Sequence, residues 1–153
     1  MMSEFSLLDR CIIFVIQKHS GQLDKVGLPY ILHPLRVMSD LSLETEEQRC
    51  IAVLHDVLED TDATKVDLFW LTESREITES VVYLTHPRNE PNPKYWQRIL
   101  EDPTGNARAV KLADIRDNMS PARMQGLPIL DQERMMHKYQ AALHVLNGGS
   151  NIV

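Results

Sequence analysis

An all-α fold is what this sequence predicts, and three observations carry that prediction. Apolar residues recur at spacings of three and four nearly throughout the chain. Strict apolar–polar alternation is almost absent, and β-branched runs are short. A helix-start signature stands at Thr45, with Gln48 three residues on and Glu46 and Glu47 in the first turn. The 153 residues, 43% hydrophobic and 25% charged, are those of an ordinary soluble globular chain. That length is enough to bury roughly two-thirds of the unfolded surface without staples. With no internal repeat or long linker, residues 1–153 read as a single domain, with a core over about 4–146 and a frayed tail at 147–153.

The elements follow in order. Leu7, Leu8, Cys11, Ile12, Val15 and Ile16 predict a first helix over about 4–18, ended before Gly21. The stretch 20–29 is a loop with two glycines, and a short helix is expected from Pro34 to Leu41. The third helix opens after Thr45 and runs to about Leu58. Further helices are expected at 64–72, 75–85, 93–101, 105–118 and 131–146.

A net charge of −6 argues against a nucleic-acid polymer as partner, since phosphate backbones call for a basic face. It leaves room for a small anionic substrate, because a site needs only a few placed cations. Cys11 and Cys50 lie in apolar runs outside any CxxC spacing and read as buried free thiols of a reducing compartment. No leader pattern and no apolar run of ~20 residues is present, so a cytoplasmic protein without a membrane partner is expected. Homo-oligomerisation is compatible with the sequence.

Chemistry concentrates in three segments. From Ile51 to Leu58 the third helix is apolar almost all round, yet it carries His55 and Asp56, and Glu59 and Asp60 close its last turn. At helical spacing these four side chains share one arc, and burying them needs a positive charge nearby. A divalent metal supplies it; a solvated helix end is the plainer alternative. His33, rigidly flanked by Pro34, is either a ligand or a helix cap. Asp114, mid-helix on a packing face, wants either a metal or Lys111 one turn earlier. Two imidazoles and two carboxylates suit Mn²⁺, Fe²⁺ or Mg²⁺ better than structural zinc. Water on such an ion is a nucleophile near neutral pH, with Glu59 and Asp60 beside it as general acid/base candidates.

Four ordered stretches give a resemblance. They are His19-Ser20-Gly21-Gln22 with Lys25 and Gly27, then Pro29-Tyr30-Ile31-Leu32-His33-Pro34. Leu54-His55-Asp56-Val57-Leu58-Glu59-Asp60-Thr61 follows, and last Lys111-Leu112-Ala113-Asp114-Ile115-Arg116-Asp117-Asn118. From about His19 to Leu146 the chain resembles the HD superfamily of metal-dependent phosphohydrolases. More narrowly, it is similar to the hydrolase domain of RelA/SpoT homologues and to the small alarmone hydrolases. The resemblance implies a single-domain helical bundle with a buried central helix carrying His55-Asp56. It also implies a Mn²⁺ held by His33, His55, Asp56 and Asp114. Its activity would be attack by metal-activated water on the 3′-pyrophosphate of ppGpp, supported by Glu59 and Asp60, in the stringent response. Lys25, Asn118 and Tyr139 match positions that touch or lie near the substrate.

Two residues depart from the family pattern. Asp24 stands where the family's arginine packs on the base; a carboxylate cannot stack that way and would repel a phosphate. Asp117 replaces the usual histidine before Asn118. These leave two other readings open: hydrolysis of another phosphorylated nucleotide (an adenine alarmone or the 2′-phosphate of NADPH), or a metal- and nucleotide-binding regulatory module without turnover. Lys111 is the first candidate for a phosphate cation, followed by Lys25, Arg98, Arg116 and Lys138. His19 reads equally as a site residue or a structural one, while His86, His137 and His144 read as uninvolved. Tyr95 and Trp96 are expected in the core, and residues 85–93 form a proline-stiffened loop over the site mouth.

Overall fold

A central helix with no exposed side chain over five consecutive residues organises the molecule. The computed structural model describes residues 4–149. Its helices are α1 (Leu7–Lys18), α2 (Leu32–Met38), α3 (Glu46–Leu54), α4 (Val57–Asp60) and α5 (Lys65–Thr72). After these come α6 (Arg75–Leu84), α7 (Asn92–Ile99), α8 (Asn106–Asn118), α9 (Pro121–Met124) and α10 (Ile129–Leu146). Among the described residues, the extended structure is an isolated antiparallel bridge between Leu23 and Pro29. The expected all-α class is what the chain adopts.

Residues 50–54 of α3 are completely buried. α1, α2, α6 and α8 pack around that helix, and α10 closes against α7 and α8. The starts of several helices are written locally. Ser6 with Asp9 and Thr64 with Asp67 form reciprocal capping boxes on α1 and α5. At Thr45 only half of the box forms: Thr45 accepts from the Gln48 amide, but the Gln48 side chain turns to the Glu44 amide, 2.8 Å away.

The helix expected to run on to Leu58 does not. It ends at Leu54; His55 closes it, and Asp56, at φ −102° and ψ −4°, starts the separate turn α4. That backbone is in the bridge region between helix and strand, a frequent setting for active-site residues. The short helix expected over 34–41 covers 32–38, which puts His33 inside its first turn. α9 went unpredicted, because four residues after Pro121 carry no periodicity. Asn147 ends α10 and Gly148 follows at φ 91°, while 150–153 of the expected frayed tail lie outside the described residues.

Cys11 and Cys50 are free, buried and in contact across α1 and α3. The neighbouring Cys11 thiol and burial together push the Cys50 thiol well above its ordinary range. Among the described residues no helix is long and apolar enough to cross a membrane.

Candidate active site

Where α2, the α3–α4 break and α8 meet, two imidazoles point the same nitrogen at the same place. The His55 Nδ1 lies 2.6 Å from the Ala52 carbonyl, which can only accept, so Nδ1 carries a proton and Nε2 is the nitrogen left for a further partner. His33 is fixed likewise, its Nδ1 donating to Asp117 Oδ2 at 2.6 Å. The two rings meet edge-on with centroids 5.1 Å apart. Asp114 Oδ1 lies 3.1 Å from the Nε2 of His33 and 3.4 Å from that of His55. Asp56 Oδ2 lies 3.5 Å and 3.0 Å from the same two atoms. His55 Nε2 is buried with no hydrogen-bond partner. Donor atoms 3.0–3.5 Å apart are spaced as neighbouring ligands of one ion with bonds of about 2.0–2.2 Å.

The electrostatics agree. Burial disfavours a charged ring at His33, yet the carboxylates of Asp114, Asp117 and Asp56 outweigh it and hold the imidazole up at about 9. A place that keeps protons on its histidines is one that calls for a cation. His55 is likewise raised against its burial by Asp56 and Asp114. Lys111 reaches the other side of Asp114, with Nζ 2.7 Å from Oδ2, and Asn118 donates to Oδ1 at 2.7 Å. The two alternatives for Asp114 thus coexist: Lys111 takes one oxygen, and the imidazoles face the other.

Asp117 orients His33 from behind. It receives His33 on one oxygen and the Arg36 guanidinium across both, at 2.7 and 3.1 Å. A carboxylate behind a ligating histidine fixes the ring and raises its basicity. Tyr30, unremarked in the sequence reading, donates its hydroxyl to Asp56. Its position three residues before His33 in the Pro29–Pro34 stretch is the one available hint.

Glu59 and Asp60 do not lie on a helical arc with His55 and Asp56, because the break turns α4 aside. With Asp56 they form a second group of carboxylates, both more exposed than the first. Glu59 Oε1 accepts from the His86 amide at 2.7 Å, and burial, only partly offset by that bond, pushes its carboxyl above the ordinary range. Asp60 is raised by burial and by the charge of Asp56.

Three hollows adjoin this centre. An inner chamber of about 80 Å³ is bounded by Asp56, Glu59, Tyr95, Lys111, Lys138 and Tyr139, with His86, Asn92 and Trp96 at its edge. A cavity of about 50 Å³ lies between Asp24, Lys25, Asn118, Arg123, Met135 and Tyr139. An outer groove of about 580 Å³ shares Lys25, Met135, Lys138 and Tyr139 with them. Burial first, then the charges of Lys111 and Lys25, lower the Lys138 pKa, so three ammonium groups face one region.

Several expectations need correction. Arg98 is committed to Glu90 and to the carbonyls of Val82, Tyr83 and Thr85, and Arg116 to Asp40 and Ser42. Neither is a substrate cation. Tyr95 and Trp96 are core residues that also wall the inner chamber, and His86 stacks on Tyr95 at 4.2 Å rather than standing apart. Asp24 is no loose anion: Oδ1 accepts from the Val26 and Leu28 amides, and Arg123 stands beside Oδ2. His19 Nδ1 is paired with Gln22, and its ring lies 5.1 Å from that of Tyr30.

A helical bundle built around a His–Asp break, with further His and Asp from flanking helices, defines an HD-type fold. Sequence and fold comparisons narrow that class. The chain is 34% identical over 122 residues to the guanosine-3′,5′-bis(diphosphate) 3′-pyrophosphohydrolase of Aquifex aeolicus, spanning 73% of this chain and 17% of that protein. It is 32% identical over 112 residues to the enzyme of that name from Vibrio cholerae, spanning 66% and 16%. It is 39% identical over 66 residues to a GTP pyrophosphokinase, rsh, of Brucella ovis, spanning 41% and 9%. The chain therefore spans between 9% and 17% of the length of these curated relatives. No known family profile matches it. The solved structure of a metazoan SpoT orthologue that hydrolyses ppGpp superposes with a TM-score of 0.76 at 23% identity, covering 96% of this chain and 89% of that one. In sequence and fold the chain is a relative of the HD-type hydrolase domain of RelA/SpoT proteins.

Proposed function

We propose that this protein is a Mn²⁺-dependent hydrolase that removes the 3′-pyrophosphate of ppGpp-type alarmones, releasing pyrophosphate and a 5′-nucleotide. The observation that carries the reading is the pair of imidazoles whose Nδ1 atoms are both spoken for and whose Nε2 atoms both face Asp114 and Asp56. Relatives named for this activity support the choice of substrate. The buried pair of free thiols supports a reducing, cytoplasmic setting.

The mixed nitrogen and oxygen donor set of His33, His55, Asp56 and Asp114 fits a divalent ion. A bound ion of this kind supplies positive charge to phosphoryl oxygens and lowers the pKa of water. The remaining work falls to the chain. Lys111, held by Asp114 and lying 5.4 Å from the Tyr95 ring centroid, faces the inner chamber as a fixed cation for a phosphate oxygen. Glu59, anchored by the His86 amide, accepts a proton from attacking water and returns it to the leaving oxygen. Asp60, beside it, keeps water near Asp56. The inner chamber, at about 80 Å³, has room for a phosphoryl group but not for a nucleoside. Sugar and base therefore belong in the outer groove, along Lys25, Lys138 and Tyr139.

The test is a panel of phosphorylated nucleotides incubated with Mn²⁺ and with chelator, monitored for phosphate and pyrophosphate. Pyrophosphate from ppGpp, abolished by chelator, is the expected result. Turnover of NADPH or an adenine alarmone in its place, or no turnover of any substrate, would overturn the reading.

A further inference from the structure

Arg123 is a cation near the site with one buried donor left over. It reaches from α9 toward the 20–29 loop, where its Nε and Nη2 both donate to the Asn118 side-chain oxygen at 3.2 and 3.1 Å. Its guanidinium carbon lies 5.8 Å from the Tyr30 ring centroid. Nη1 is buried and has no hydrogen-bond partner. The carboxylate beside it, Asp24 Oδ2, lies 3.7 Å away, too far for a hydrogen bond. The other Asp24 oxygen is already taken by the amides of Val26 and Leu28, at 3.0 and 2.9 Å.

Both side chains are largely buried, 15% and 5% exposed, and Arg123 Nη1 cannot recover its missing partner from bulk water. A charged donor left unpaired in such a place costs more than an ordinary hydrogen bond contributes. What remains is one free donor and one free acceptor side by side, in the wall of a cavity of about 50 Å³. That volume admits the polar edge of a ring, not the ring itself. The cavity shares Lys25, Met135 and Tyr139 with the outer groove, where the ring has room, and Tyr139 also borders the inner chamber.

We propose that Arg123 and Asp24 read the edge of the substrate's base and select guanine. The guanine O6 accepts from Arg123 Nη1, while N1–H and the 2-amino group donate to Asp24 Oδ2. Adenine in the same seat sets its amino group against the guanidinium and its bare N1 against the carboxylate, two like-on-like contacts that exclude it. This deepens the nucleotide-hydrolase reading and rests on it for the placement of the base.

The test is equilibrium binding of GMP, IMP and AMP to the Mn²⁺-loaded protein, which needs no turnover. The order GMP, IMP, AMP is expected, with GMP ahead of AMP by roughly 10- to 100-fold. Asp24→Asn keeps an acceptor for the loop amides but turns the second position into a donor that suits adenine N1. It should cut the GMP-to-AMP ratio tenfold or more, at an unchanged melting temperature. AMP binding as tightly as GMP in the wild type overturns the proposal, whether or not the variant folds. So does a folded Asp24→Asn protein with the wild-type ratio. A clear GMP preference without pyrophosphate release from ppGpp would sink the hydrolase reading while sustaining this one; turnover of ppGpp without base preference would do the reverse.

Discussion

Asp114 and Asp102 are both buried aspartates of the α8 region, and they could hardly be used more differently. Asp102 stands just before α8 with both oxygens taken: Oδ1 by the amide and hydroxyl of Thr104, Oδ2 by the Ser80 hydroxyl and the Ala107 amide. Every partner is a neutral donor at 2.8–3.0 Å, and nothing nearby is left over. Asp114 faces Lys111 with one oxygen, and with the other the Nε2 atoms of two imidazoles. The hollow beside Asp102 is the larger, about 340 Å³ against about 80 Å³ for the inner chamber. Volume therefore misleads here; unfinished bonding marks the chemistry.

That contrast breaks or sharpens under substitution. Asp56→Asn or His55→Ala removes a donor from the unfinished cluster. Each should abolish stoichiometric metal binding, measured by elemental analysis of the purified protein, and cost at least ~10³-fold in kcat. Glu59→Gln leaves the metal in place and should lower kcat by roughly 10²- to 10³-fold. Full turnover in that variant would show the proton transfer to lie elsewhere. Asp117→Asn weakens the support behind His33; a loss of about 10–100-fold in Mn²⁺ affinity is expected in a chelator-competition titration.

On the finished side the readout is stability rather than activity. Asp102→Ala strips partners from Ser80, Thr104 and Ala107 and should lower unfolding free energy by about 2–3 kcal/mol, with kcat per folded molecule untouched. Burial opposes ionisation of Asp102, but the Ala107 amide and the Ser80 and Thr104 hydroxyls outweigh it and hold its carboxyl below the ordinary range. A depressed folded-state pKa means that this stabilisation is fully present above the unfolded value of about 3.9 and fades as pH falls through the folded one. The difference in melting temperature between wild type and Asp102→Ala should therefore shrink on acidification below pH ~4. A gap that widened instead would mean the carboxylate is not what holds this corner.

Most of the fold was legible because several helices begin with local signals and most bury apolar stripes. α1, α5, α6 and α8 fall within a few residues of the expected bounds. His55, Asp56 and Asp114 drew attention as polar residues set into apolar runs, while the resemblance is what joined His33 to them. What the sequence concealed was pairing across distance. Arg98 and Arg116 look like free cations until Glu90 and Asp40 are seen against them. Asp24 looks like a repulsive substitution until Arg123, some hundred positions later, stands beside it. Asp117 looks like a loss until His33 and Arg36 are found on it. Tyr30 gave no signal beyond its place in the Pro29–Pro34 stretch, because a tyrosine among apolar residues is ordinarily a packing residue.

The interruption between Leu54 and Val57 has a consequence for how this protein can be improved. Successive residues of an unbroken helix diverge by about 100°, so His55 and Asp56 could not both reach one point from a regular turn. The break lets the His55 Nε2 and the Asp56 carboxylate turn to within 3.0 Å of each other. Substitutions that restored the winding would raise thermal resistance while disabling the centre, so selection for heat tolerance alone should drift toward inert variants at this hinge of the backbone.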